Sequence, residues 1–187
     1  MKTLLALAAF AVALPAAATE SQYSPLGSKA CRLDKAASRK IPRHEDFDPM
    51  LYRCGTANGR AVSVTYHGLN VRVSLARKDG KTFEVFTPYD AGPKIEWRGQ
   101  KGAATAAILR LSARGDDGRP SSVLAVVKLG PEQDCLIGIV DAKTNPQAND
   151  LARQTADAAG SRSCSKPEIL GAAGSVAREI LDFNVSR

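Results

Sequence analysis

The stretch from residue 134 to residue 164 constrains the fold more than any other part of the chain. Residues 135–140 are apolar at successive positions, as in a strand that is covered on both faces. Asn145 and Pro146 follow, with asparagine in the N-cap position and proline at the first helical position. The pattern predicts a central strand followed by a helix over residues 146–159.

The predicted helix has one narrow face composed mostly of alanine. The members of this face recur at helical spacing: Ala148, Leu151, Ala152, Thr155, Ala156 and Ala159. Because alanine is small, the helix can lie close to the strand that it covers. Asp157 lies on the opposite face, where we expect contact with solvent, and Gly160 is suited to end the helix.

Four cysteines indicate disulfide bonds. An even number of cysteines is typical of the disulfide frameworks of exported proteins, and four cysteines allow three pairings. We favour Cys31–Cys54 and Cys135–Cys164, because each pairing closes a local unit. The chain-entropy model assigns each closed loop about 3 kcal/mol of stabilisation. The chain has no Cys-X-X-Cys motif, which argues against a thioredoxin-like redox site or a zinc knuckle.

The middle of the chain alternates between apolar and polar residues, as strands do. Val62, Val64 and Tyr66 share one face, and the next strand shares a face that runs from Leu69 to Leu75. His67-Gly68 and Asp79-Gly80 predict turns, and Pro88 and Gly92-Pro93 predict a break before residues 94–98. A second helix is predicted over residues 168–181, weakened by Gly171 and Gly174.

These elements predict an α+β fold in a single domain. We expect residues 19–50 to form a polar arm and a proline-bounded loop, and residues 51–187 to form the β-rich domain. About seven strands in a mostly antiparallel meander would make a curved sheet or half-open barrel, packed by one or two C-terminal helices.

The charge balance favours anionic partners. The chain carries 26 Lys+Arg and 19 Asp+Glu. Residues 1–18 predict a cleaved export signal, described below, that contains Lys2. Without it, 25 basic and 19 acidic residues remain, a net charge of +6. Such a domain could meet an anionic envelope polymer, lipid head groups or an acidic periplasmic protein. The alternative is that the charge serves only solubility. Nucleic acid is not expected, because no basic run is interleaved with aromatic residues.

Two groups of residues are candidate binding sites. Trp97 could anchor a ligand beside a basic patch, although a lone tryptophan on a strand more often fills the core. The basic residues that could gather there are Lys94, Arg98, Lys101 and Arg110. Lys143 and Asn145 lie in a loop before the predicted helix, where free N–H groups can bind an anion. In the alternative interpretation, Asp141 and Asn145 simply cap that helix.

Catalytic and metal-binding patterns are weak. His44 stands beside Glu45, Asp46 and Asp48, but neighbouring loop residues rarely converge on one ion, and no HExxH or calcium-loop motif is present. We therefore expect no cofactor, metal or nucleophilic site. The leading hypothesis is a non-enzymatic periplasmic binding or inhibitor-like module. Alternatives are an enzyme that acts on an envelope polymer through Glu96 and a second carboxylate, or a structural envelope protein.

Three segments, residues 92–98, 107–110 and 135–149, resemble a family of small exported proteins from Gram-negative bacteria. The resemblance extends over residues 51–164 and implies a periplasmic location. It implies no activity and no functional residue.

The first 18 residues predict an export signal. Lys2 precedes an apolar run over residues 4–14 that is short for a membrane span, and three alanines at 16–18 precede the expected cut before Thr19. The alternative is an N-terminal membrane anchor, whereas no later stretch of the sequence is long and apolar enough to span a bilayer. We expect mass spectrometry of the exported protein to show an N-terminus at Thr19. An intact Met1 on membrane-bound mature protein would contradict the signal.

Overall fold

Two β-sheets form the body of the chain in the computed structural model, which describes residues 19–43, 47–115 and 117–186. The predicted export signal lies outside these residues. The six-stranded sheet has the order β1 (Glu20–Pro25), β7 (Asp90–Gln100), β8 (Ala103–Arg114), β9 (Pro120–Leu129), β10 (Asp134–Asp141) and β11 (Glu168–Ile169). The five-stranded sheet has the order β2 (Arg32–Leu33), β3 (Met50–Ala57), β4 (Arg60–His67), β5 (Asn70–Arg77) and β6 (Thr82–Thr87).

Three α-helices accompany the sheets in the described chain: α1 (Lys35–Ser38), α2 (Ala148–Asp157) and α3 (Ser175–Val185). Neighbouring strands pair antiparallel except β10 and β11, which are parallel. The prediction of a β-rich, mostly antiparallel fold is therefore confirmed. The single meander of about seven strands is wrong, because eleven described strands divide between two sheets, and neither sheet closes into a barrel.

The main core lies between the two sheets. Alternate side chains of β4 and β5 pack against alternate side chains of β7, β8 and β9, as expected when one face of each sheet is buried. The centre includes Val64, Val73, Ile95, Leu109 and Ala125, each with no exposed surface. Helix α3 contributes Val176, Ala177 and Ile180 and contacts β6 and β10, so it joins an outer strand of one sheet to the other sheet.

A second core lies between the six-stranded sheet and α2. Ala148, Ala152, Ala156 and Ala159 are all buried there against β8, β9 and β10, which confirms the alanine face. Strand β10 is buried on both faces, as predicted, with Ile139 in the main core and Ile137 under α2. The helix begins at Ala148 rather than Pro146, and Asn145 does not cap it, because its side chain bonds to other loop groups.

The polar arm is more ordered than its composition predicts. Residues 20–25 form β1, an edge strand whose backbone pairs with β7, and residues 32–33 pair with β3. The predicted break at Gly92-Pro93 is a bulge within β7 rather than an end of the strand. Leu69 is 70% exposed in the hairpin turn and does not join the buried face of β5.

The predicted disulfides, Cys31–Cys54 and Cys135–Cys164, are both present. The first ties the segment before β2 to β3, and the second ties β10 to the segment that follows α2. Within the described ranges, no helix is long and apolar enough to cross a bilayer.

The predicted C-terminal helix over residues 168–181 is wrong in its first half. Residues 168–169 form β11, and α3 begins only at Ser175. Gly171 has a positive φ of 74°, and a Cβ atom there would collide with Asn145. A Cβ atom at Gly174 would collide with the carboxylate of Asp141. Both glycines are thus required by the packing of the loop before α2.

The close approach of α2 generates a prediction. Ala156→Leu adds an isopropyl group where the helix is fully buried, so we expect overpacking to lower the free energy of unfolding by about 1–3 kcal/mol. Gln154→Leu makes a similar side chain on the exposed face of the same helix and should change stability by about 0.5 kcal/mol or less. Urea unfolding with intact disulfides measures both. Equal losses in the two variants would contradict the packing described.

Candidate functional site

Strand β7 presents two different faces. Ile95 and Trp97 point into the main core, whereas Lys94, Glu96 and Arg98 alternate with them and point toward the side of α2, following the two-residue period of a strand. Trp97 is 1% exposed, and its indole N–H donates to Ser24 Oγ on β1 at 2.8 Å. The tryptophan therefore fills the core and offers no exposed ring to a ligand.

A row of polar pairs, here called the polar ladder, fixes α2 to the sheet. Three α2 side chains spaced four residues apart each contact one strand residue: Asn149 with Arg110, Arg153 with Glu96, and Asp157 with Arg98. The Arg98–Asp157 pair is bidentate, with N–O distances of 2.9 and 2.7 Å. Arg153 Nε lies 2.7 Å from Glu96 Oε1. Asp157 is therefore engaged with the sheet, and our expectation that it only faces solvent is wrong.

Strand β1 completes this ladder. The hydroxyl of Ser21 donates to Glu96 Oε1 at 2.6 Å and accepts from Arg98 Nη1 at 2.6 Å. Ser21 thereby links Glu96 and Arg98, the strand members of two neighbouring pairs of the ladder. Arg98 is almost fully buried, and these contacts supply the partners that a buried guanidinium requires.

A cleft of about 360 Å³ opens beside the ladder, between α2 and strands β1, β7, β8 and β9. Its apolar surface includes Ile108 and Leu124. Lys94, Arg110 and Arg153 bring positive charge to its walls, and Tyr23 and Asn149 add polar groups. The structure thus gathers two of the residues proposed for a basic patch, Lys94 and Arg110. Arg98 lies deeper, under Asp157, and Lys101 does not line this cleft.

The cations of the cleft differ in how they are neutralised. Arg153 is paired with Glu96. Arg110 donates to Ser122 Oγ at 2.9 Å and to Asn149 Oδ1 at 3.1 Å, and the Lys94 ammonium lies 4.2 Å from the centre of the Tyr23 ring. Within the described chain, neither Lys94 nor Arg110 contacts a carboxylate. The lining contains one acidic residue, Glu96, and three basic residues, Lys94, Arg110 and Arg153, so its net charge is +2.

Glu96 is the one carboxylate among the residues that line the cleft. Burial alone would raise its pKa, but hydrogen bonds from Arg153 and Ser21 and the charges of Arg153 and Arg98 hold the pKa below its ordinary value. The hydrogen bond to Glu96 in turn raises the pKa of Arg153. Glu96 is consequently ionised at neutral pH and is poorly suited to act as a general acid.

The loop between β10 and α2 forms internal contacts. The Asp141 carboxylate accepts hydrogen bonds from the backbone of Lys143 and Thr144. The Asn145 side-chain amide donates to the backbone carbonyls of Asp141 and Ala172, and its oxygen accepts from the backbone N–H of Ala172. Lys143 Nζ pairs with the Asp117 carboxylate at 2.9 Å. Lys143 and Asn145 do not line the cleft that contains Lys94 and Arg110.

Residues 44–46 of the histidine–acid cluster lie outside the described residues, and Asp48 pairs with Arg43. Across the described ranges, no group of three or more His, Cys, Asp or Glu side chains could hold a metal ion.

Sequence reasoning missed Tyr23 and Arg153 as cleft residues. Tyr23 lies in a polar segment with no strand signal. Arg153 could have been found from the helix pattern, because Asn149, Arg153 and Asp157 recur every four residues and therefore line one side of α2.

No protein-family model matches the chain, and searches of curated proteins and of solved structures gave no significant match.

The buried end of the ladder generates a prediction. Asp157→Ala leaves the Arg98 guanidinium without its bidentate partner, and we expect a loss of about 1–3 kcal/mol in the free energy of unfolding. Asp150→Ala removes from the same helix a carboxylate that is 67% exposed and lies 3.7 Å from Arg153 Nη1, so the loss of this surface pair should cost about 0.5 kcal/mol or less. Chemical denaturation of both variants at neutral pH provides the measurement. A loss at Asp157 no larger than about 0.5 kcal/mol would show that Arg98 does not depend on Asp157.

Proposed function

We propose that this protein is a non-enzymatic, exported binding module whose cleft holds an anionic group of an envelope component or of a periplasmic protein. The observation that carries the proposal is the pairing state of Lys94 and Arg110. Both line a concave site, and neither contacts a carboxylate among the described residues. An anionic ligand would supply the opposite charge that these side chains lack.

The surroundings of Arg110 favour binding. Ser122 and Asn149 hold its guanidinium from two different elements, β9 and α2, so little side-chain freedom would be lost when a ligand binds. The planar fork of an arginine matches carboxylate and phosphate groups. Ile108 and Leu124 provide an apolar surface beside it, as in many small-ligand sites.

The location that we propose is the periplasm. Two disulfides fit an oxidising compartment, and the predicted export signal would deliver the chain there. The resemblance to small exported proteins of Gram-negative bacteria supports the same location, and we propose membership of that family.

An envelope-polymer hydrolase remains the alternative hypothesis, and the cleft offers it less support. Glycosidases of the common type use two carboxyl groups about 5–10 Å apart, one of them with a raised pKa. The lining of this cleft contains one carboxylate, and its pKa is lowered.

Titrations of the isotope-labelled mature protein test the binding proposal by NMR. The probes are a uronic acid trisaccharide, a sugar phosphate and a short polyglutamate peptide. We expect at least one of them to shift the backbone signals of Tyr23, Lys94 and Arg110. The double variant Lys94→Gln/Arg110→Gln should weaken that binding at least tenfold, because charge-assisted hydrogen bonds are lost.

The matched control is Lys166→Gln/Arg178→Gln, which removes one exposed lysine and one exposed arginine elsewhere. It should bind like the parent protein. If no probe perturbs the cleft, or if both double variants lose the same affinity, the proposed anion site is wrong.

A further inference from the structure

A second surface, which shares no residue with the cleft, lies at one end of the five-stranded sheet. Large apolar side chains are exposed there at the hairpin between β4 and β5, before β3 and at its first residue, and after β6. They are Leu69 at 70%, Phe47 at 55%, Met50 at 43% and Tyr89 at 39% exposed. This group, here called the apolar end, contains four of the six exposed large hydrophobic residues in the described chain.

Strand pairing brings these residues to the same end. Met50 lies opposite Tyr66, one residue before the end of β4. The ring of Phe47 lies against Gly68, because a Cβ atom placed on Gly68 would be 3.7 Å from it. Thr87 lies opposite Val71 at the start of β5 and leads into Tyr89.

A basic segment borders the apolar end. Helix α1 and the residues after it expose Lys35, Arg39, Lys40 and Arg43. Lys35 and Arg39 share with Met50 the walls of a pocket of about 550 Å³, which also contains Leu33 and Ile41. Arg43 pairs with Asp48, whereas Lys35, Arg39 and Lys40 contact no carboxylate within the described ranges.

The sequence shows the same excess of positive charge in this segment. Between residues 29 and 53 it carries seven basic and four acidic side chains, with Glu45 and Asp46 included in the four. The disulfide Cys31–Cys54 and the hydrogen bond from Leu51 N to Ser38 Oγ fix the basic segment beside β3. Cations and exposed apolar side chains are thus held next to each other on a rigid sheet.

We propose that the apolar end docks this protein on the surface of an anionic lipid bilayer. Leu69 and Phe47 would enter the boundary between head groups and acyl chains, while Lys35, Arg39 and Lys40 would meet the lipid phosphates. Peripheral membrane surfaces combine these two features, an apolar insertion and a basic rim. The charge favours a bilayer that contains acidic lipids. The inference is independent of the anion-binding cleft, since the two surfaces share no residue.

Co-sedimentation of the mature protein with vesicles tests this proposal. The vesicles consist of phosphatidylcholine, with or without phosphatidylglycerol. We expect binding to the anionic vesicles, weaker binding at high salt, and little binding to the neutral ones. Phe47→Ser/Leu69→Ser should weaken binding to the anionic vesicles at least tenfold. Lys35→Gln/Arg39→Gln/Lys40→Gln should do the same and should also reduce the dependence on salt.

Three controls make the result specific. Val185→Ser removes an exposed apolar side chain on α3, and Lys166→Gln/Arg178→Gln removes exposed charge elsewhere. Both should bind vesicles like the parent protein, and so should the cleft variant Lys94→Gln/Arg110→Gln. Urea unfolding of each variant separates lost binding from lost folding. The proposal is overturned if anionic vesicles do not retain the protein, or if stably folded Phe47→Ser/Leu69→Ser binds them unchanged. Retention of a periplasmic protein instead of vesicles would assign the apolar end to a protein partner.

Discussion

Charge buried between α2 and the six-stranded sheet is the constraint on which the rest of this structure depends. The alanine face draws the helix close to the sheet, and this approach removes Arg98 from water. A buried guanidinium is costly unless its donors are satisfied, so Asp157 and Ser21 must lie where they do. Ser21 lies on β1, so the polar N-terminal segment supplies one of the partners of Arg98. The cleft lies beside α2, where Arg110 is held by neutral partners.

The parts of the fold that could be predicted from sequence are those governed by local pattern. The alanine face and the doubly buried β10 follow from periodicity, and the disulfide pairing follows from short loops. The division into two sheets could not be predicted in this way, because strand alternation does not show which strands pair. Gly171 and Gly174 also misled the prediction: helix propensity suggested a weakened helix, but the close approach of Asn145 and Asp141 requires glycine at both positions.

The candidate site was predicted only in part for a similar reason. Alternation along β7 places Lys94 on the same face as Arg98, and the neighbouring strand adds Arg110, so a basic patch was a sound expectation. The sequence could not show that Arg98 forms an ion pair with Asp157 whereas Arg110 bonds only neutral side chains. That difference depends on where α2 crosses the sheet. Tyr23 was missed because its strand forms through backbone pairing with β7 and carries no apolar alternation of its own.

The ladder also fixes where α2 sits along the strand. Four residues of an α-helix advance about 6 Å, and two residues of a strand advance about 6.7 Å. The spacing of the paired side chains along α2 therefore nearly matches their spacing along β7. Arg153 faces Glu96, and Asp157 faces Arg98. If the helix were shifted by one pair toward one end of β7, Arg153 would face Arg98. If it were shifted by one pair toward the other end, Asp157 would face Glu96. Both alternatives bring like charges together at the largely buried side chains of Glu96 and Arg98. Alanine side chains are small and alike, so a face made of them would pack in several positions along the sheet. The order of charges on α2 and β7 therefore selects the position that the alanines alone do not.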